Sequence, residues 1–303
     1  MVQIIAALFP IFCLIMAGAV FKRYGFPGDA FWPLAARITY FIFFPCLIIA
    51  RLATAPLREI AIGPMALALA LPVLVIAAGM VLARPLLPLS NASYTSLFQG
   101  SIRMNTYVGL AGAAALLGDK GLALASLALG ILIPLVNILS VAALTHYVSH
   151  TPMRFGNTVI SIIKTPPVTA CIIGVFLNIT GIGLPPLLGE VLDIFSRAAL
   201  PVGLLTVGAA LNIESVQHTG ALVLLVTVLK LCVLPVMTAA ACILLGIEGD
   251  TRTITVLFAA LPGAPAAYLL AQELGGDVRL MSVILTVQTV VAAATMPLMS
   301  LLW

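Results

Sequence analysis

Apolar residues run along this chain in continuous blocks, and the polar residues are gathered into short stretches of punctuation between them. Blocks of about 20 apolar residues match the hydrocarbon thickness of a bilayer, and a continuous run predicts a helix. A membrane barrel is excluded, because its strands alternate at every second residue over about 10. Charged and Gly/Pro-rich separators cut the chain into ten predicted helices at about 3–21, 31–54, 61–83, 92–117, 121–147, 157–179, 187–211, 219–245, 252–273 and 278–301. The longest polar patch, His146 to Asn157, lies almost at the midpoint.

Composition turns this pattern into a statement about solvent. Of 303 residues, 62% are hydrophobic and 8% are charged. So few charges cannot coat a compact body of this size in water, and the surrounding medium is lipid. The net charge of +4 comes from basic residues scattered singly, so no stripe fits a nucleic-acid backbone. The run Ile4 to Phe21 has no basic residue before it and reads as a first span rather than a signal peptide. Cys13, Cys46, Cys171, Cys232 and Cys242 fall inside predicted spans without metal-ligand spacing and read as packing residues. His146 and His150 stand four apart at a helix end, where a solvated role outweighs a metal site. No cofactor is implied.

The midpoint invites a search for an internal repeat. Adding 156 takes Pro10 to Pro166, Gly18 to Gly174 and Pro45 to Pro201. Later, with a small drift, Leu71-Pro72 falls on Leu234-Pro235 and Gly118-Asp119 on Gly276-Asp277. Five spans per copy make residues 1–147 and 157–303 two halves of opposite orientation. Lys22, Arg23, Arg84, Arg154 and Arg279 fall on one side; Arg58, Lys120 and Arg252 fall on the other, with Arg51 and Arg197 near that side. The acids Glu59, Asp119, Glu190, Asp193, Glu248 and Asp250 also collect on the second side. The basic bias makes the first side cytoplasmic and places both termini on the non-cytoplasmic side of a plasma (bacterial inner) membrane.

A polar side chain at the helix centre costs on the order of 2.5 to 3.5 kcal/mol when charged, so each one needs a reason. Arg37 and Lys164 are close enough to span ends to snorkel. Arg103 and Lys230 are near the midplane. For Lys230 a water-filled crevice or a helix-end carbonyl is as good a reading as a ligand. The segment Gly100-Ser101-Ile102-Arg103-Met104-Asn105-Thr106-Tyr107-Val108-Gly109 interrupts the fourth span and falls, in the repeat, on Leu261-Pro262-Gly263-Ala264-Pro265. Two prolines there remove two backbone donors and break the ninth helix. Paired interruptions of this kind point to a transport site built from discontinuous helices, whose N-terminal ends attract an anion. Asn105 and Thr106 are placed to cap the second half of the fourth span, and the Arg103 guanidinium suits a carboxylate. Arg103, Asn105, Thr106, Pro262, Gly263 and Pro265 are therefore the candidate anion site. Simple kinks, with Arg103 as a structural carbonyl donor, remain the alternative. Gln99, Asn137, Asn178 and Gln288 read first as helix-helix hydrogen bonds, with Gln99, Asn137, Lys230 and Gln288 kept as second-line candidates. All ten Asp and Glu lie at span ends or in loops, which weakens a cation/proton antiporter and a membrane-embedded enzyme alike.

Leu200-Pro201-Val202-Gly203-Leu204-Leu205-Thr206-Val207-Gly208-Ala209-Ala210-Leu211, together with Asn105-Thr106-Tyr107-Val108-Gly109-Leu110, Gln288-Thr289 and Thr295-Met296-Pro297-Leu298, resembles the auxin efflux carrier family in its short bacterial form. The resemblance implies an all-α protein of ten transmembrane helices in inverted five-helix repeats, similar to sodium/proton antiporters and bile-acid symporters, with crossed, broken spans four and nine. It implies a scaffold of 1–54 and 157–211 beside a transport bundle of 61–147 and 219–303, a homodimer formed through the scaffold, and transport of small organic anions. Two departures stand out. Ala111 replaces a proline common just after the span-four glycine, so a softer break made by Asn105 and Gly109 is expected. No acid occurs between Ala61 and Ala83, so a proton relay through span three is not carried over. The resulting expectation is a secondary transporter of a mono- or dicarboxylate such as malate, malonate or an auxin-like acid, working by alternating access. Proton or sodium coupling is left open. A cation-coupled carrier of a neutral or cationic solute is the alternative, ahead of an enzyme or channel.

Overall fold

The computed structural model describes residues 2–57, 60–149, 160, 163–212, 214 and 219–302. Among these every regular element is a helix. They are α1 (Val2–Arg23), α2 (Phe31–Ile38), α3 (Phe44–Ala53), α4 (Ile62–Ala83), α5 (Asn91–Ile102), α6 (Thr106–Leu144), α7 (Pro166–Ile179), α8 (Pro186–Ala209), α9 (Ala221–Val228), α10 (Leu234–Leu244), α11 (Gly249–Ala259), α12 (Pro265–Leu274) and α13 (Val278–Met299). The positions His150, Arg154, Arg58 and Glu59, which entered the metal and sidedness arguments, lie outside the described residues.

Among the described residues seven helical stretches are long and apolar enough to cross a membrane: Ile4–Arg23, Phe31–Ala53, Ile62–Leu86, Asn91–Val148, Pro186–Ala209, Ala221–Leu244 and Val278–Leu302. The sequence predicts ten, and the difference has three local causes. Asn91–Val148 is one stretch of 58 residues, far more than the roughly 20 a crossing takes, and it contains both the fourth and the fifth expected helices. Its turning point is Gly118, whose φ of 57° and ψ of −137° interrupt α6 without a loop. The expected ninth helix is divided into α11 and α12, of 11 and 10 residues. The sixth, described as Pro166–Ile179, is 14 residues long. Lys164 accordingly falls in an exposed turn ahead of α7 rather than inside a span, because Pro166 and Pro167 open the helix.

Two further interruptions have a proline behind them. Thr39–Phe43 joins α2 to α3 and Leu229–Val233 joins α9 to α10, both as π-helical turns. In each the closing bond runs five residues back, from Phe44 N–H to the Thr39 carbonyl and from Leu234 N–H to the Leu229 carbonyl. Pro45 and Pro235 follow at once. A proline ring clashes with the carbonyl four residues before it, and the wider turn moves that carbonyl aside.

Small residues set how closely the helices cross. A side chain at Gly18 would collide with the Leu205 carbonyl, and one at Gly208 with the Ile15 carbonyl, so α1 and α8 meet backbone to backbone. Gly174 on α7 leaves room for Leu52 of α3, whose Cβ lies 2.8 Å from where a Cβ would be. Asn178 then caps the end of α3, its Nδ2 donating to the carbonyls of Leu52, Ala53 and Ala55 at 2.9, 3.2 and 2.7 Å. Gly203 on α8 accepts the Tyr107 ring, which also packs edge-on against Phe44 at 5.3 Å. Gly203 and Gly208 lie in the stretch on which the family resemblance rests most heavily, and close approach is what they supply.

Lys22 pairs with Asp29 at 2.6 Å between α1 and α2, and a second group of ion pairs joins residues from distant helices. Arg51 binds Asp119 and Asp193, each at 3.1 Å, and Lys120 binds Asp250 at 2.6 Å. These residues were assigned to a single membrane side from the sequence. Elsewhere Asp277 joins the starts of α5 and α13, capping Leu280 N–H through Oδ1 and accepting from Ser93 Oγ through Oδ2 at 2.8 Å.

Candidate functional site

The polar segment of the fourth predicted span opens as a true break. α5 ends at Ile102, Arg103 and Asn105 are extended, and α6 starts at Thr106. Gly109 plays no part in the break, contrary to expectation: it is helical and buried in α6, and its missing side chain makes room for Leu261 and Phe258. The second break runs from Ala260 to Ala264, between α11 and α12. Pro265 opens α12 at a position where its missing N–H is harmless.

The two breaks touch. Asn105 N–H donates to the Pro262 carbonyl at 2.7 Å. Gln288, from α13, grips both: its Oε1 accepts from Gly263 N–H and its Nε2 donates to the Gly100 carbonyl, each at 2.9 Å. A side chain at position 263 would stand 2.8 Å from that Oε1, so glycine is required for the grip.

Each broken helix leaves two raw ends whose backbone groups need partners. Three of the four are served by side chains. Gln288 meets the C-terminal end of α5. Asn105 Oδ1 caps the N-terminal end of α6, accepting from Tyr107 and Val108 N–H at 3.1 and 3.3 Å. Lys230 Nζ donates at 2.8 Å to the carbonyl of Ala259, the last residue of α11. The N-terminal end of α12 has no side-chain cap, since its N-cap residue is Ala264.

Buried donors without acceptors lie in the first break, which Asn105 N–H ties to Pro262, just ahead of this uncapped end. Arg103 is 7% exposed and Asn105 1%. Arg103 Nε and Nη1 and Asn105 Nδ2 have no hydrogen-bond partner, nor do Nε2 and Oε1 of the fully buried Gln99. A buried polar atom left unpaired costs about 1 to 3 kcal/mol, more when charged. Such a cluster in one short segment signals a ligand position. Arg103 also interacts electrostatically with Tyr40, and Tyr40 with Tyr107. Tyr40 sits in the π-helical turn between α2 and α3.

The candidates named from sequence thus divide. Asn105, Pro262 and Gly263 are brought together by direct hydrogen bonds or through Gln288. Arg103 is buried in the same break. Thr106 and Pro265 are half-buried at the starts of their half-helices. Lys230 and Gln288 reach the breaks, whereas Asn137, half-buried on the part of α6 beyond Gly118, is tied to neither break by a hydrogen bond. Tyr40 is the residue that sequence reasoning missed. Its signal was Pro45 five residues downstream, which predicts a widened turn and a displaced side chain.

Residues 152–300 match the family described as membrane transport protein. A protein of Methanothermobacter thermautotrophicus described as an uncharacterized transporter is 35% identical over 136 residues. That alignment covers 45% of this chain and 44% of the relative, so the matched region spans less than half the length of that protein.

Proposed function

We propose that this chain is a secondary transporter of a small organic anion, since residues 152–300 match the membrane transport protein family and the sequence resembles auxin efflux carriers. The observation that carries the reading is the set of unpartnered donors, Arg103 Nε and Nη1 and Asn105 Nδ2, buried in a break that Asn105 N–H ties to Pro262, just ahead of the one half-helix end without a side-chain cap. A carboxylate is the complementary group. Its two oxygens accept from a guanidinium in parallel, and its charge suits the positive end of α12. Among the described residues the buried charged side chains are Arg103 and Lys230, both cationic.

Movement follows from where the breaks lie. The bundle 61–147 and 219–303 carries both of them, and the scaffold 1–54 and 157–211 presents Tyr40 and Gly203 to Arg103 and Tyr107. Shifting one against the other exposes the anion to each side in turn. Two inverted halves find support in Gly18 and Gly174, paired in the repeat: each admits a helix from the other half, Gly18 the backbone of α8 and Gly174 the end of α3. Both termini belong on the non-cytoplasmic side of the plasma membrane in this reading, and the exposed faces of the scaffold suit a homodimer.

The test is uptake of labelled malate, malonate and indole-acetate into proteoliposomes, with the matching neutral amides as controls. Carboxylates are expected to enter and amides not, and Arg103→Ala is expected to remove at least about 100-fold of the rate, as loss of a charge-assisted pair implies. Full transport by Arg103→Ala, or equal uptake of amides, would overturn the reading.

A further inference from the structure

Lys230 lies outside the anion seat. It is 1% exposed, in the π-helical turn Leu229–Val233, and its ammonium bonds the Ala259 carbonyl at 2.8 Å. The space left around it is a cavity of about 10 Å³ walled by Leu69, Val73, Ile102, Met104 and Phe258 among others. That is room for about one water and not for a hydrated ion. Arg103 is extended, with φ of −78° and ψ of 150°. Successive side chains of an extended segment point to opposite sides. Ile102 and Met104 therefore face Lys230, and Arg103 faces away from it.

The position that Lys230 fills has a definite chemistry. The last carbonyls of a helix lack partners and form the negative end of its dipole. In transporters with discontinuous helices, such carbonyls coordinate the coupling cation. Here α11 stops at Ala259, and Ala260 N–H turns back to Val256 and Leu257. The Ala259 carbonyl is left pointing at Lys230. An ammonium brings a single positive charge to this oxygen, as a sodium ion would. The corresponding end of α5 is met instead by the neutral amide of Gln288, so among the described residues the cation-capped carbonyl end is that of α11.

We infer that Lys230 is the resident cation of the crossover, occupying with the chain's own ammonium the seat of a coupling metal ion, so that anion transport proceeds without sodium or potassium. This rests on the anion-transport reading above and specifies its energetics. Lys230 acts as a positioning residue that holds the end of α11 and touches no substrate.

The experiment uses the full chain in detergent and in proteoliposomes, with NaCl, KCl or choline chloride at equal ionic strength. The wild-type melting temperature and the uptake of labelled malate are expected to be the same in all three salts. Lys230→Arg keeps the cation and is expected to hold uptake within about threefold, whereas Lys230→Met is expected to lower it by about tenfold or more. A merely structural lysine predicts the same loss for Lys230→Met in every salt, whereas an emptied cation seat predicts a smaller loss in NaCl than in choline chloride. Sodium-specific stabilisation of the wild type, or sodium-dependent uptake, would overturn the inference, as would undiminished uptake by Lys230→Met in choline. If Lys230→Met fails to fold, the wild-type salt comparison and Lys230→Arg still decide. If no variant takes up any anion, the anion reading fails by itself, and the melting temperatures, which need no substrate, still report whether the seat is filled.

Discussion

The breaks at 103–105 and 260–264 occupy similar places in the two halves of the chain and solve the same problem in opposite ways. The first is rich in side chains. Asn105 caps its own helix, and Arg103 and Gln99 bring polar atoms that no protein group satisfies. The second has no polar side chain of its own between Ala260 and Ala264, and borrows Gln288 and Lys230 from neighbouring spans. One break supplies unpaired donors and the other supplies exposed backbone. A site for a charged solute needs both, because side chains alone would collapse onto each other and backbone alone gives little charge. In the proposed transport reading the asymmetry also separates duties: the uncapped α12 end faces an anion, and the α11 end is closed by Lys230.

Removing the shared clamp should have the largest effect on stability. Gln288→Leu leaves Gly263 N–H and the Gly100 carbonyl buried and unpaired, for a loss of about 2 to 4 kcal/mol in a denaturant titration of the detergent-solubilised protein. Gly263→Ala attacks the same clamp from the other side, since the new Cβ would lie 2.8 Å from Gln288 Oε1. A loss of about 1 to 3 kcal/mol is expected there, and the two losses should not add. Additive losses would mean that Gln288 does not join the breaks.

Asn105→Ala separates the capping role of the first break from its binding role. The cap is worth about 1 kcal/mol, while anion uptake should fall further than so small a destabilisation explains. Recovery of wild-type uptake by Asn105→Ser, which keeps a capping oxygen but lacks the amide donor, would assign Asn105 to capping alone. The smallest effect is expected far from both breaks. Asp119→Asn removes one exposed partner of Arg51, which keeps Asp193. Its cost in thermal unfolding should stay below about 1 kcal/mol.

Much of this arrangement was written in local sequence. Pro262, Gly263 and Pro265 announce the second break because proline lacks the donor a helix needs, and Asn105-Thr106 announces the first because asparagine favours a cap. What could not be read was contact at a distance. Gln288 reaches Gly100 across 188 residues, and nothing in its apolar surroundings on α13 distinguishes a clamp from an ordinary helix-helix bond. Gly109 reads as a breaker in the sequence because glycine is permissive, whereas its role depends on Leu261 and Phe258, which only the fold brings near. Lys230 had two readings in the sequence, and the Ala259 carbonyl selects the helix-end one. The ten-span pattern was read from hydropathy, which cannot see that Gly118 turns the chain without a loop or that the ninth block is two short helices.

The central claim is that the unpartnered donors of the first break are an anion seat. It is tested most directly by the melting temperature of purified wild type and Arg103→Gln with and without malate or malonate. Ligand that binds only the folded protein stabilises it by mass action. The account predicts that a carboxylate raises the wild-type melting temperature, while Arg103→Gln shows no such rise and is at least as stable as wild type without ligand, having lost a buried unpaired charge. A carboxylate-induced rise in Arg103→Gln equal to that of wild type, or a marked loss of its ligand-free stability, would contradict it.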